Sequence, residues 1–453
     1  MIVTTNRYLE GLYAPVHTEH TAFDLPVTGT LPPELDGRYL RNGPNPFAAP
    51  DPANHHWFTG DGMVHGIRLR DGEAEWYRNR WVRSTAISEA LGEAPVPGVR
   101  HAGMEAANTN VIGHAGRTFA IVEAGGSPFE FGHDLEPLRF SDFDGTLPNG
   151  FTAHPKRHPR TGRLHAANYY WARPEVIEYV TVGVDGRVER SVDIPVPGNP
   201  MVHDCSITDT RFVVNDLPVT FDVDLAMTGA RLPYTWNDDY GARVGVLPLE
   251  GGPGDVQWFE VEPCYVFHPL NAHDDGDTVV LDVVRHPRMF DRVRLGPDDG
   301  TPTLWRWRLD CGTGKATEQQ LDDRGIEFPR VDERLVGRPH RYGWATSVTL
   351  PSGGTGQDLV GDSMVRYDTV SGATEAFSFG AGRTIGEVVF VPSSDDAAED
   401  DGWYLTLVHD AATNRSELCV LAAQDPGSGP VATVHLPDRV PVGFHGNWIP
   451  ESS

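Results

Sequence analysis

Short stretches in which apolar and polar residues alternate dominate the chain. RTFAIVEAG (117–125), RFVVNDL (211–217), DTVVLDVVRH (277–286), WYLTLVHD (403–410) and SELCVLAA (416–423) are rich in β-branched and aromatic residues and bounded by Gly, Asp or Asn. That composition and period predict strands. Helical periodicity is scarce, and STAISEALGEA (84–94) is the best candidate. Polar turns split seven alternating segments into hairpins, at Gly72, Leu135, Gly186, Gly252, Gly314, Gly372 and Gly427, spaced 51 to 66 residues apart. Two of the hairpins, RLDCGTGKATE and RYDTVSGATE, share Arg, Asp, a Thr/Ser-Gly pair and Ala-Thr-Glu. Such a repeat predicts an all-β fold, a seven-bladed β-propeller of four-stranded units with each hairpin the outer pair of a blade. The alternative is a pair of β-sandwiches. No Ser/Gly-rich or charged linker divides the chain, so residues 1–453 read as one domain, with PSSDDAAEDDG (392–402) a solvated loop.

Composition narrows the partners. With 37 Lys and Arg against 64 Asp and Glu, the net charge is −27, which repels phosphate backbones and argues against nucleic acid. No apolar run approaches the roughly 18 residues of a membrane span. The N-terminus MIVTTNRYLEGLYAPVH lacks the pattern of a secretory signal. Cys205, Cys264, Cys311 and Cys419 are far apart without a CxxC spacing, which reads as reduced thiols of a cytoplasmic protein.

Four of nineteen histidines share a setting, with apolar or small residues before and a loop or Pro after. His154, His203, His268 and His445 fall 16 to 19 residues past the preceding hairpin turn. That register places each where the chain returns to begin an innermost strand, facing the propeller axis. Four neutral imidazoles converging there suit Fe(II), Cu, Ni or Zn. Zinc prefers four ligands and then has no open position, whereas an octahedral iron keeps two. A metal-bound imidazole needs its other N–H anchored. Glu327 and Glu387 occupy the matching register 13 and 15 residues past their turns, and Glu123 ends an apolar strand. All three are expensive to bury unpaired.

Taken in order, LRNGPNPF, HWFTGDGMVHGIRL, ANTNV, FTAHPKRHP, MVHDCSIT, VFHPLNAHDD, IEFPRV, GEVVFVP and PVGFHGNW resemble the carotenoid cleavage oxygenases, and most closely their actinobacterial members. That family also holds lignostilbene dioxygenases and the retinoid isomerohydrolase of the eye. The resemblance covers nearly the whole chain. It implies a seven-bladed propeller capped by a dome of loops and short helices. It implies Fe(2+) on His154, His203, His268 and His445, with Glu123, Glu327 and Glu387 holding three of them and His154 lacking such a partner. Lignostilbene-type members carry a Lys immediately before the first of these glutamates. Here Val122 stands there, which favours an apolar polyene, a carotenoid or apocarotenoid, cleaved with O2 at one C=C bond into two carbonyls. The alternative is the same chemistry on stilbenes or phenylpropenes; a non-catalytic propeller is a third reading. Phe58, Val122, Met201, Phe267 and Phe444 are expected to line the substrate tunnel. Cys205 is expected to be an inert buried thiol, and His65 and His273 are the competitors for the metal. Peripheral membrane contact is expected at LPYTW (232–236) or AISEALGEAPVPGV (86–99).

Overall fold

The computed structural model describes residues 5–292, 294–297, 299–348 and 361–451. Among them the strands form seven antiparallel sheets arranged as a propeller, plus a two-stranded ribbon of Val219–Phe221 and Tyr234–Trp236. Each predicted turn closes an outer hairpin. Asp71 and Gly72 both take positive φ, +52° and +77°, the pairing that a two-residue hairpin turn requires. The two similar hairpins turn by one mechanism. Asp310 Oδ1 accepts the N–H groups of Gly312 and Thr313 at 2.9 and 3.0 Å, and Asp368 Oδ1 accepts those of Val370 and Ser371, both at 3.0 Å. Gly314 and Gly372 follow with φ of +71° and +74°.

The predicted helix forms at Thr85–Leu91, where the Ser84 hydroxyl accepts the N–H of Ile87 and Gly92 ends it in the left-handed conformation. A shorter helix, Val223–Met227, stands in the connection between the two strands of the ribbon.

Blades 2 to 6 have four strands each, as expected, but the terminal blades have more. Blade 1 is built from Thr21–Phe23, Gly37–Pro44, Gly62–Arg70 and Glu73–Trp81, and takes the C-terminal strand Gly446–Pro450 as its innermost member. Blade 7 (Arg383–Ile385, Val389–Pro392, Gly402–Asp410, Arg415–Ala422 and Pro430–His435) takes the N-terminal strand Val27–Gly29 on its outer edge. Both chain ends therefore close the ring, covering edges that would otherwise be exposed. The inner clasp is tight. Arg41 pairs with Gly446 in register, Asn42 N–H donates to His445 O at 2.9 Å, and Phe444 N–H donates to Asn42 O at 3.0 Å. A Cβ on Gly43 would come within 2.6 Å of Gly443 Cα, so the LRNGPNPF segment reaches its partner only as glycine.

The innermost strands of blades 3, 4, 5 and 6 are Lys156–Arg157, Cys205–Ile207, Tyr265–Asp275 and Ile326–Val331. His154 and His203 lie just before the first two, His268 and Glu327 lie within the next two, and His445 immediately precedes the inner strand of blade 1.

Candidate metal centre

The four histidines meet. One ring nitrogen from each of His154, His203, His268 and His445 lies within 4.8 Å of the others, and all four side chains are buried. Nε2 of His203 is 3.0 Å from Nε2 of His154 and 3.2 Å from Nε2 of His268. His65 and His273 are elsewhere: His65 Nδ1 pairs with the Tyr77 hydroxyl at 2.9 Å, and His273 lies farther along the inner strand of blade 5.

Three carboxylates hold the other nitrogens, Glu327 and Glu387 buried and Glu123 half-buried. Nδ1 of His203 is 2.8 Å from Glu123 Oε2, Nδ1 of His268 is 2.6 Å from Glu327 Oε2, and Nδ1 of His445 is 3.0 Å from Glu387 Oε1. An ionised carboxylate only accepts, so each Nδ1 carries the hydrogen and each Nε2 presents its lone pair. Three lone pairs and a fourth imidazole thus converge on one point, a donor set that fits a divalent cation. His154 differs: its nearest carboxylate, Asp204, is 3.9 Å away and is held by Lys156 Nζ at 2.8 Å.

Electrostatics follow the same partition. Burial, reinforced by the neighbouring imidazoles, holds His154 well below the ordinary range. Burial also outweighs Glu327 at His268, which is lowered to about 3. At His203 burial lowers and Glu123 raises, and the carboxylate wins. Burial would raise Glu387, but Arg330, His445 and the Gly446 N–H together hold it down to about 2. Glu327, opposed by burial in the same way, is held below the carboxylate range by His268 and His286.

An apolar cavity of about 790 Å³ opens onto the centre. Phe58, Val122, Phe267 and Phe444 line it, together with Phe328 and Phe221. Met201 does not. Its N–H donates to Val219 O at 2.8 Å and its carbonyl accepts the Tyr265 hydroxyl at 3.3 Å, which locks the residue into the neighbouring core. A second cavity, of about 470 Å³ and mixed lining, runs along the inner strands and is lined by His154, His268, His445, Asp204, Lys156 and Arg330 among others. Cys205 is a buried thiol, pushed by burial to about 12, and stands in neither donor set.

Several participants escaped sequence reasoning. Phe328 takes φ +54°, rare for a non-glycine residue, at a register shift between Glu327 and Arg330, and its ring lies over His268 with centroids 5.6 Å apart. Arg330 grips Glu387 at 3.1 Å, and His286 grips Glu327 at 2.8 Å. Phe328 and Arg330 stand in IEFPRV beside Glu327, and His286 closes the apolar run VVLDVVRH, but none of the three shows its role in the sequence.

A family profile described as "Retinal pigment epithelial membrane protein" matches residues 13–450. The "Carotenoid cleavage oxygenase" of Mycobacterium tuberculosis is 48% identical over 497 residues, covering 98% of both chains. The chain belongs to the carotenoid cleavage oxygenase family. Among solved structures, the lignostilbene dioxygenase of Pseudomonas brassicacearum superposes with a TM-score of 0.87 at 29% identity, covering 99% of this chain and 100% of that one. The cobalt-substituted apocarotenoid oxygenase of Synechocystis gives 0.84 at 26% identity, covering 96% and 97%. This membership makes the chain an enzyme of an oxidoreductase family, built on the family's propeller.

Proposed function

We propose that His154, His203, His268 and His445 hold one iron(II), with Glu123, Glu327 and Glu387 fixing three of the imidazoles. The enzyme cleaves a carotenoid or apocarotenoid in the apolar cavity. The observation that carries this reading is the convergence of the four imidazoles beneath that cavity, three of them with Nδ1 bound to a carboxylate and Nε2 free to donate a lone pair. A relative solved with cobalt in place supports a transition metal at such a centre. Bound iron(II) supplies the O2 chemistry by which a conjugated C=C bond becomes two carbonyls.

The chain's own residues do the rest. Phe58, Val122, Phe267, Phe328 and Phe444 present flat apolar walls that align a polyene past the imidazoles and exclude water from the reacting bond. Val122 offers no hydrogen bond to a phenol, which favours the polyene. The likeness to a lignostilbene dioxygenase supports a second reading, stilbene or phenylpropene cleavage. Incubation under ¹⁸O2 with apocarotenals, carotenoids, resveratrol and isoeugenol, followed by mass spectrometry, separates them. We expect one labelled carbonyl on each polyene fragment; turnover of the phenolic substrates alone overturns the substrate assignment.

We read the 453 residues as one propeller domain with a dome, cytoplasmic and peripherally membrane-associated. The unpaired cysteines are consistent with that compartment. No helix among the described residues is long and apolar enough to cross a membrane. Support for surface contact comes from Val223 and Met227, 63% and 83% exposed on the helix at the cavity's rim. The LPYTW segment points the other way, with Tyr234 and Trp236 buried. In AISEALGEAPVPGV, Leu91 and Val99 are exposed but stand outside the cavity lining.

A further inference from the structure

Each of the three carboxylates is backed by a different group. Glu387 has the Arg330 guanidinium, Glu123 has the Tyr169 hydroxyl against it, and Glu327 has a second imidazole, His286. Glu327 Oε2 accepts His268 Nδ1–H at 2.6 Å and the Phe328 N–H at 2.5 Å, while Oε1 accepts His286 Nε2–H at 2.8 Å. His286 ends the strand Thr278–His286, is fully buried and lies opposite Tyr265 in register. Its Nδ1 has no hydrogen-bond partner among the described residues. A hydrogen there would be a buried donor without an acceptor, so the ring is the neutral tautomer with its hydrogen on Nε2. Among the described residues the one polar contact of this imidazole is therefore Glu327. The hydrogen-bonded chain runs from the second strand of blade 5 to the inner strand of blade 6 and back to His268 on blade 5.

We infer that His286 is a positioning residue for the metal centre: by fixing the second oxygen of Glu327 it sets the carboxylate plane, and through that plane the direction of the His268 Nε2 lone pair. This rests on the metal-centre reading above. Glu327 stands just before the left-handed Phe328, where the strand register shifts, and its carboxylate is held by hydrogen bonds from His268, His286 and the Phe328 N–H. Without His286, Oε1 loses its partner and the carboxylate is free to turn away from Nδ1 towards any donor that enters.

The test uses the full-length, metal-free chain and Co(II) titrated against a competing chelator, with the cobalt ligand-field spectrum recorded. His286→Phe fills the space without a donor; His286→Gln restores an N–H. We expect His286→Phe to weaken cobalt binding about 10- to 100-fold and shift the ligand-field bands. His286→Gln should recover most of both, while thermal midpoints of the two metal-free variants agree. Wild-type affinity in His286→Phe, or equal weakening in both variants, overturns the inference. Wild-type protein that binds no cobalt overturns the metal-centre reading itself, and this inference falls with it. Should His286→Phe not fold, His286→Leu and His286→Asn make the same comparison.

Discussion

At the residue scale the centre is a division of labour between the two nitrogens of an imidazole. Nδ1 faces a carboxylate and Nε2 faces the axis in three of four cases. Three carboxylates face one guanidinium, Arg330, around the imidazoles, a negative setting that suits a dication. Glu387→Gln removes one acceptor charge and its hold on Arg330. We predict metal affinity lower by about 10- to 100-fold, read by chelator competition. Thiol chemistry checks the burial independently. Burial pushes Cys264 and Cys419 up to about 12, so neither ionises near neutral pH, whereas Cys311 is only half-buried. A thiol reagent at pH 8 should titrate one cysteine rapidly in the native chain and all four after denaturation. The histidines were legible because a ligand must follow a fixed stretch of outer hairpin. Phe328, Arg330 and His286 were not, because their roles depend on contacts between blades and on one positive φ.

At the element scale, the outer hairpins carry the sequence repeat because each needs the same turn chemistry. Leu135, with φ +60°, shows that a turn can be placed correctly without a glycine. Glu130 in the second blade accepts from Arg117 at 2.7 and 2.9 Å and from Arg139 at 2.8 Å. Burial raises its pKa, but the two guanidiniums win and lower it. A carboxylate whose folded pKa is depressed contributes stability above its unfolded value and loses it as pH falls through the folded one. Glu130→Gln should therefore cost about 1–2 kcal/mol at pH 7, and the difference should shrink steadily below about pH 4, measured by denaturant unfolding. The inner clasp gives a second prediction. Gly43→Ala drives a methyl into Gly443 and should destabilise the chain by about 1–3 kcal/mol while loosening His445, read as a lower thermal midpoint and reduced metal occupancy. That the terminal blades would take on extra strands was not readable, since short edge strands carry no signal of which sheet they complete.

At the scale of the molecule, the ring is closed twice, and the four histidines stand at the junction of two cavities. The exposed Val223 and Met227 at the apolar rim predict lipid contact. Val223→Glu with Met227→Glu should abolish flotation with liposomes and leave turnover of a detergent-dispersed substrate intact; unchanged flotation removes the membrane from the account. The fold class was legible because seven similar turns recur along the chain. The cavity walls were legible only where a residue neighboured a metal-site motif, and Met201 failed because its backbone is tied to the ribbon. The most direct test of the central claim is metal content per chain after purification with iron(II) supplied, in the wild type and in His268→Ala. One iron per wild-type chain, lost in the variant with the fold preserved, is the predicted result. Iron absent from the wild type, or retained undiminished in His268→Ala, contradicts it.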